Sequence, residues 1–439
     1  VIHTIYAASK EGLPNRLIRA DHNVFVQERR QMGKPSRREL LAGLASGAFL
    51  LSGAPLFRAE NFDSSARLAV DSEYMFEPGL IYLNTAALGP TPRTVLEQVL
   101  KAWYELELDP VMMAYADGAV HVATDHAREQ VANLMGCAAD DLLITRSATD
   151  AMNCVALGCK LDRGDRVLTT DVEHEGGSIC WSYLQRRRGV DIDVVSIAPG
   201  DFDTRAIISR FEKAITEKTK VISVSHVISS TGLRMPIAEI VALAKNRGIL
   251  CVVDGAQAVG GIDVDVRKLG CHAYVGTGHK WLMGPKGTGF LYLSKDARSL
   301  IQPVQREQSL RFVGPATGVG SLPLVVGLGA AVEAMRKRGM ATVEKRLIEL
   351  RDRAYVGLSK ISRIQVVSPP PGPLTSALVS FKLPDSVDSR AFRDILLKKY
   401  RIVIKVAEKR WFNGNRISPH VFNTERDIDA TIKAIRAEL

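Results

Sequence analysis

The stretch Leu250-Cys251-Val252-Val253-Asp254-Gly255-Ala256-Gln257 runs through four apolar residues and stops on a carboxylate, a glycine and an amide. A second stretch, Ala273-Tyr274-Val275-Gly276-Thr277-Gly278-His279-Lys280-Trp281, closes in the same way, with Lys280 twenty-six residues beyond Asp254. Short apolar runs closed by turn residues read as strands buried on both faces. Working outward, the form recurs at 141–145, 166–170, 191–197, 221–225 and 289–293, with amphipathic stretches such as 236–247 in between. Such alternation predicts an α/β fold, a large and mostly parallel seven-stranded sheet covered by helices. Past Pro323 a long helical pattern covers 324–353, followed by the break Pro369-Pro370-Pro371-Gly372-Pro373. A strand at 376–383, a helix at 389–399, two more strands and a final helix follow, the last with Thr424 as N-cap and Asp427 three residues on. The expected organisation is a leader (1–59), an N-terminal arm (60–95), a large domain (96–325) and a smaller α+β C-terminal domain (326–439).

In open α/β sheets, ligands bind beyond the carboxyl ends of the strands. The residues expected there are Asp254 and Gln257, Thr277 to Lys280, the run Arg146-Ser147-Ala148-Thr149, and Glu173-His174. Singly, each is an ordinary cap or surface residue. Jointly they put an amine nucleophile, a carboxylate, an imidazole and a small-residue helix start on one sheet edge. Pyridoxal 5'-phosphate needs those parts. Its aldehyde condenses with a lysine, its pyridine nitrogen stays protonated beside a carboxylate, and its phosphate suits a helix N-terminus. Lys280, Asp254 and the Ala148-Thr149 turn fill these roles, with His174 as the flat cover for the ring. No Cys/His cluster has metal-ligand spacing, so no metal is expected.

The segment from Val252-Val253-Asp254-Gly255-Ala256-Gln257-Ala258 to His279-Lys280-Trp281-Leu282-Met283-Gly284-Pro285-Lys286-Gly287-Thr288-Gly289 resembles the class V aminotransferase family of pyridoxal phosphate enzymes, fold type I. Tyr82-Leu83-Asn84-Thr85-Ala86-Ala87 and Arg416-Ile417-Ser418-Pro419-His420-Val421-Phe422-Asn423-Thr424 resemble its terminal signatures, and the likeness covers about residues 75–439. It is nearest the branch of cysteine desulfurases, selenocysteine lyases and isopenicillin-N epimerases. The resemblance implies that Lys280 is the Schiff-base lysine, Asp254 pairs with the pyridine nitrogen, Gln257 sits at the ring hydroxyl and His174 stacks on the ring. It also implies that Ala148, Thr149, Thr277 and His279 hold the phosphate, and that Arg416 binds the substrate carboxylate, with Asn84 and Arg410 also on the substrate side. Ser229 stands where the family often has an asparagine, and Thr317-Gly318-Val319 where it has a Gly-Thr pair facing the partner subunit. Desulfurases carry a nucleophilic cysteine in the loop that here reads Lys405-Val406-Ala407-Glu408-Lys409-Arg410-Trp411-Phe412-Asn413-Gly414-Asn415, and the last cysteine in this chain is Cys271. Arg410 occupies the cysteine's place, where it would meet a second anionic group of the substrate.

The resulting expectation is an enzyme acting at the α-carbon of an amino acid or amine, first of all by transamination or β-elimination. Epimerisation is the alternative, desulfuration is disfavoured by the missing thiol, and a non-catalytic exported carrier is disfavoured because a carrier needs no carboxylate clamp. A homodimer follows from the resemblance. The net charge of +10, from 58 basic and 48 acidic residues, is scattered, and its densest run, Arg186-Arg187-Arg188, lacks aromatic interleaving, so no nucleic-acid partner is expected. The six cysteines read as free thiols. Upstream, Lys34-Pro35-Ser36-Arg37-Arg38-Glu39-Leu40-Leu41 and the apolar, glycine-rich run to Phe57 resemble a twin-arginine export signal, with Met32 as a start. The expected destination is the periplasm or beyond, without stable membrane insertion once the signal is removed; an uncleaved anchor is the alternative.

Overall fold

The computed structural model describes residues 73–111, 119–304 and 320–439. After the short strand β1 (Ile81–Tyr82) come β2 (Leu142–Thr145), β3 (Arg166–Thr170), β4 (Asp191–Val195), β5 (Thr219–Ser225), β6 (Leu250–Asp254), β7 (Ala273–Thr277) and β8 (Gly289–Leu293). Strands β2 to β8 form one seven-stranded sheet in the order β2-β8-β7-β6-β5-β3-β4. The run β7-β6-β5-β3-β4 is parallel throughout, and β8 lies antiparallel to both of its neighbours. Every strand expected from the apolar runs is in this sheet.

The runs are apolar on both faces because both faces are covered. Val167, Val221, Val252 and Val275 pack with helices Ala148–Gly158 and Glu175–Arg188. The alternate residues Leu168, Ile222, Val224 and Val253 belong to the opposite core, with residues of helices Thr204–Ala214 and Ile237–Lys245. The cysteines are unpaired thiols, and all but the half-buried Cys137 are buried.

The C-terminal part adds β9 (Gln365–Val366), β10 (Val379–Lys382), β11 (Ile402–Val403), β12 (Lys405–Val406) and β13 (Gly414–Ile417). Four of these form an antiparallel sheet, β12-β13-β10-β9, while β11 pairs in parallel with β1. Helices Met340–Ser359, Ser389–Tyr400 and Glu425–Ala437 contribute Leu350, Phe392 and Ile432 to its core, together with Phe381, Ile417 and Leu83. Thr424 caps the last helix through a reciprocal box with Asp427, as expected.

Two expectations shift. The single helix anticipated over 324–353 is two, Leu322–Arg338 and Met340–Ser359, because Gly339 between them takes φ +79°. A glycine costs a helix interior about 1 kcal/mol and readily adopts positive φ, so the turn wins there. The boundary anticipated at 325/326 falls inside the first of these helices, which packs against helices Arg93–Leu108 and Ala119–Met135. The described residues all belong to one compact unit. The export signal (Arg37, Arg38 and the run to Phe57), the start at Met32 and the Thr317-Gly318-Val319 position lie outside the described residues. No helix among the described residues is long and apolar enough to cross a membrane, and none of their side chains cluster as metal ligands.

Candidate active site

The carboxyl ends of the parallel strands open onto a cavity of about 290 Å³, whose opposite wall is the segment from β12 to Trp411 and Arg416 of β13. Lys280, three residues past the end of β7, points its chemistry here. Burial pushes its amine down to about 8; Asp254 opposes that shift, while Arg416 and Lys405 add to it. An amine in that range carries a useful neutral fraction near pH 7, which an ordinary lysine lacks. In cofactor-free, full-length protein, Lys280 should therefore be acylated with a pH midpoint of about 8, read by peptide mass spectrometry across a pH series. A midpoint at the ordinary 10.5 would show that the amine is not buried as described.

Asp254 ends β6, is 8% exposed, and holds the turn after it by accepting from the Ala256 amide at 2.8 Å. His174 caps helix Glu175–Arg188, its Nδ1 accepting from the Gly176 amide at 3.0 Å. That bond leaves the ring proton on Nε2, and burial with the nearby Lys280 holds the imidazole below its usual range, so the ring is neutral. Ser147 caps helix Ala148–Gly158 by accepting from the Asp150 amide at 3.1 Å, which presents Ala148 and Thr149 to the cavity. Thr277 and His279 join them, their Oγ1 and Nδ1 atoms 2.9 Å apart.

Gln257 also lines the cavity, with its amide fully engaged. Nε2 donates to the Ala86 carbonyl at 3.0 Å and to Ser229 Oγ at 3.3 Å, and Oε1 accepts from the Trp281 indole at 3.0 Å. Arg416 is 5% exposed, and its Nη1 donates to Ser229 O at 2.8 Å and to Ser229 Oγ at 2.9 Å. Its Nε is buried without a partner, and no carboxylate among the described residues lies within ion-pair distance. Burial lowers its pKa to about 10. Glu408, on the same cavity, opposes that shift from beyond ion-pair distance. A buried cation with no direct carboxylate partner is costly, so this one is suited to an anion brought in from outside.

Ten of the twelve residues expected at the site line this cavity: Ala148, Thr149, His174, Ser229, Asp254, Gln257, Thr277, His279, Lys280 and Arg416. Two do not. Asn84 is not among the lining residues, and its Oδ1 is buried without a partner. Arg410 is exposed and is held outside the cavity, its Nε donating to Glu408 at 2.8 Å and its Nη2 to the Glu173 carbonyl at 3.0 Å, with the guanidinium 4.8 Å from the Trp411 ring centre. The second cation at the cavity is instead Lys405. It lies directly opposite Arg416 in the β12–β13 pair, so both side chains leave one face. Sequence reasoning missed Lys405, because its direction depends on that register.

It also gave no role to Glu173, a buried carboxylate that accepts from Thr170 Oγ1 at 2.7 Å, from the Ser225 amide at 3.1 Å and from Ser225 Oγ at 2.5 Å. Burial raises it to about 7 against those donors. Its acidic, carboxyl-terminal position after β3 was the available signal.

Two glycines let the backbone approach these polar groups closely. A Cβ at Gly177 would stand 2.7 Å from Asp254 Oδ2, and one at Gly176 would stand 2.4 Å from Thr149 Oγ1. Bare backbone thus passes between the carboxylate and the helix N-terminus.

The aminotransferase class-V family profile matches residues 81–431. The chain belongs to the class V aminotransferase family. It is similar to an isopenicillin N epimerase of Streptomyces clavuligerus, 30% identical over 83% of this chain and 96% of that one. It is similar to a probable cysteine desulfurase of Methanothermobacter thermautotrophicus, 30% identical over 66% of this chain and 75% of that one. Among solved structures it superposes on the cystine C-S lyase C-DES, bound to cysteine persulfide, with a TM-score of 0.74, at 23% identity over 82% of this chain and 98% of that one. This class V enzyme takes pyridoxal 5'-phosphate, and the cavity fits it. Ala148, Thr149, Thr277, His279, Asp254, His174 and Lys280, the residues expected to hold it, all line this one cavity.

Proposed function

We propose that this class V enzyme transfers the α-proton of an amino acid, with Lys280 carrying the proton and Arg416 holding the substrate carboxylate. The carrying observation is that a depressed amine and a buried cation without a counter-carboxylate open onto one cavity with Asp254. When bound, pyridoxal phosphate supplies an aldehyde that captures amines and a protonated ring that takes up the electrons released at the α-carbon. The protein does the rest. Arg416 orients the carboxylate, the neutral His174 offers a flat uncharged face, and Lys280 takes and returns a proton near neutral pH.

The likeness to the isopenicillin N epimerases of Streptomyces clavuligerus and Amycolatopsis lactamdurans, over 96% and 95% of their lengths, supports return of the proton to the α-carbon. Transamination and β-elimination share its first half. Desulfuration through an enzyme persulfide is disfavoured despite the likeness to probable cysteine desulfurases, since no cysteine lines the cavity. Incubating a panel of L-amino acids in deuterated buffer should give α-deuteration with inversion, read by NMR and chiral chromatography. Keto-acid release would replace epimerisation with transamination or elimination. A panel without α-exchange, or an added sulfur on any cysteine after incubation with cysteine, would overturn the reading.

We also propose a homodimer. Helix Arg93–Leu108 leaves Trp103, Tyr104 and Leu108 exposed at 40, 72 and 86%, an apolar face of the sort a second copy covers. Light scattering should give twice the chain mass, and a fully active monomer would remove the idea.

A further inference from the structure

Lys280 is followed by Trp281, which is fully buried and held at both ends. Its indole donates to Gln257, and its carbonyl is 3.0 Å from Nε2 of His420. A carbonyl only accepts, so the proton of His420 sits on Nε2 and its Nδ1 is bare. That Nδ1 is buried with no partner among the described residues, and burial holds the ring neutral, with a pKa down at about 3. A histidine with an orphaned nitrogen is a poor filler. Phenylalanine would occupy the same stack between Trp281 and Phe422, whose ring centres lie 6.0 and 5.7 Å away, with no orphan. What phenylalanine lacks is the donor to the Trp281 carbonyl.

The backbone of His420 is braced as well. Its amide donates to Asn423 Oδ1 at 2.9 Å, and the Asn423 amide donates back to its carbonyl at 2.9 Å. Just upstream, the Ser418 amide donates to Leu83 O at 2.9 Å, and Ser418 Oγ accepts from the Ala86 amide at 3.1 Å. One short, fixed piece of chain therefore carries Arg416 at one end and grips the residue after Lys280 at the other.

We propose that His420 is a positioning residue for Lys280, fixing through Trp281 the main chain on which the amine is carried and keeping that amine in register with Arg416. The proposal rests on Lys280 being the reactive amine. The charged and titratable groups around Lys280 are Asp254, Arg416, Lys405, His174 and His279, with Glu408 on the same cavity, none of which the substitutions below remove.

The test uses full-length holoenzyme and no substrate. The visible absorbance of pyridoxal phosphate joined to Lys280 is followed across a pH series. His420→Phe keeps the stack and removes the donor. It should raise the absorbance midpoint by about half a unit or more, roughly a threefold change in proton affinity, because a loosened loop admits water to the amine. His420→Gln, which restores an N–H at similar reach, should return the midpoint to that of the wild type. If the phenylalanine variant does not accumulate folded, His420→Met, also without a donor, takes its place. A donor-free variant with an unmoved midpoint overturns the proposal, whatever its melting temperature. Because the readout needs no turnover, it stays legible even if the α-proton reading fails.

Discussion

Lys280→Ala should lower α-proton exchange by about 10²–10⁴-fold, the usual contribution of a positioned acid or base. The loss should fall on the chemical step, since the carboxylate clamp is untouched: Arg416 is held by Ser229, not by Lys280. Lys280→Arg should be equally inactive, because a guanidinium stays protonated at neutral pH and returns no proton. Exchange would be measured by NMR in deuterated buffer, beside circular dichroism to show that both variants fold. A variant that exchanges within tenfold of the wild type would remove Lys280 from the reaction.

Arg416→Met should separate binding from stability. Loss of a charge-assisted contact to a carboxylate is worth about 1.5–3 kcal/mol, roughly 10- to 100-fold in kcat/KM. The discrimination between an amino acid and the amine lacking its carboxylate should shrink by the same factor. The melting temperature should not fall. Arg416 is 5% exposed, burial already lowers its pKa to about 10, and its Nε has no partner, so the apolar replacement relieves a desolvation cost. Site stabilisation and activity would then trade against each other, as is common where a site keeps an unpaired charge. Unchanged discrimination, or melting far below the wild type, would mean that Arg416 is a structural residue.

The sequence by itself determined the sheet and the chemical edge of it. Apolar runs such as Leu250 to Val253 must be strands buried on both faces, and residues at or shortly past their ends, Asp254 and Lys280 among them, must gather at the carboxyl edge. These are local rules, set by period and by the direction of parallel strands. The cap at Thr424 was legible for the same reason. The tertiary structure alone decided which distant loops reach that edge. Lys405 and Arg410 sit five residues apart and look alike in sequence. Lys405 faces the cavity because strand register sets it opposite Arg416, while Arg410 is drawn off by Glu408 and the Glu173 carbonyl. Asn84, two residues from Ala86 and bridged through its backbone to Ser418, does not line the cavity. Side-chain direction in loops and short strands depends on partners remote in sequence, and so does the grip of His420 on the chain beside Lys280.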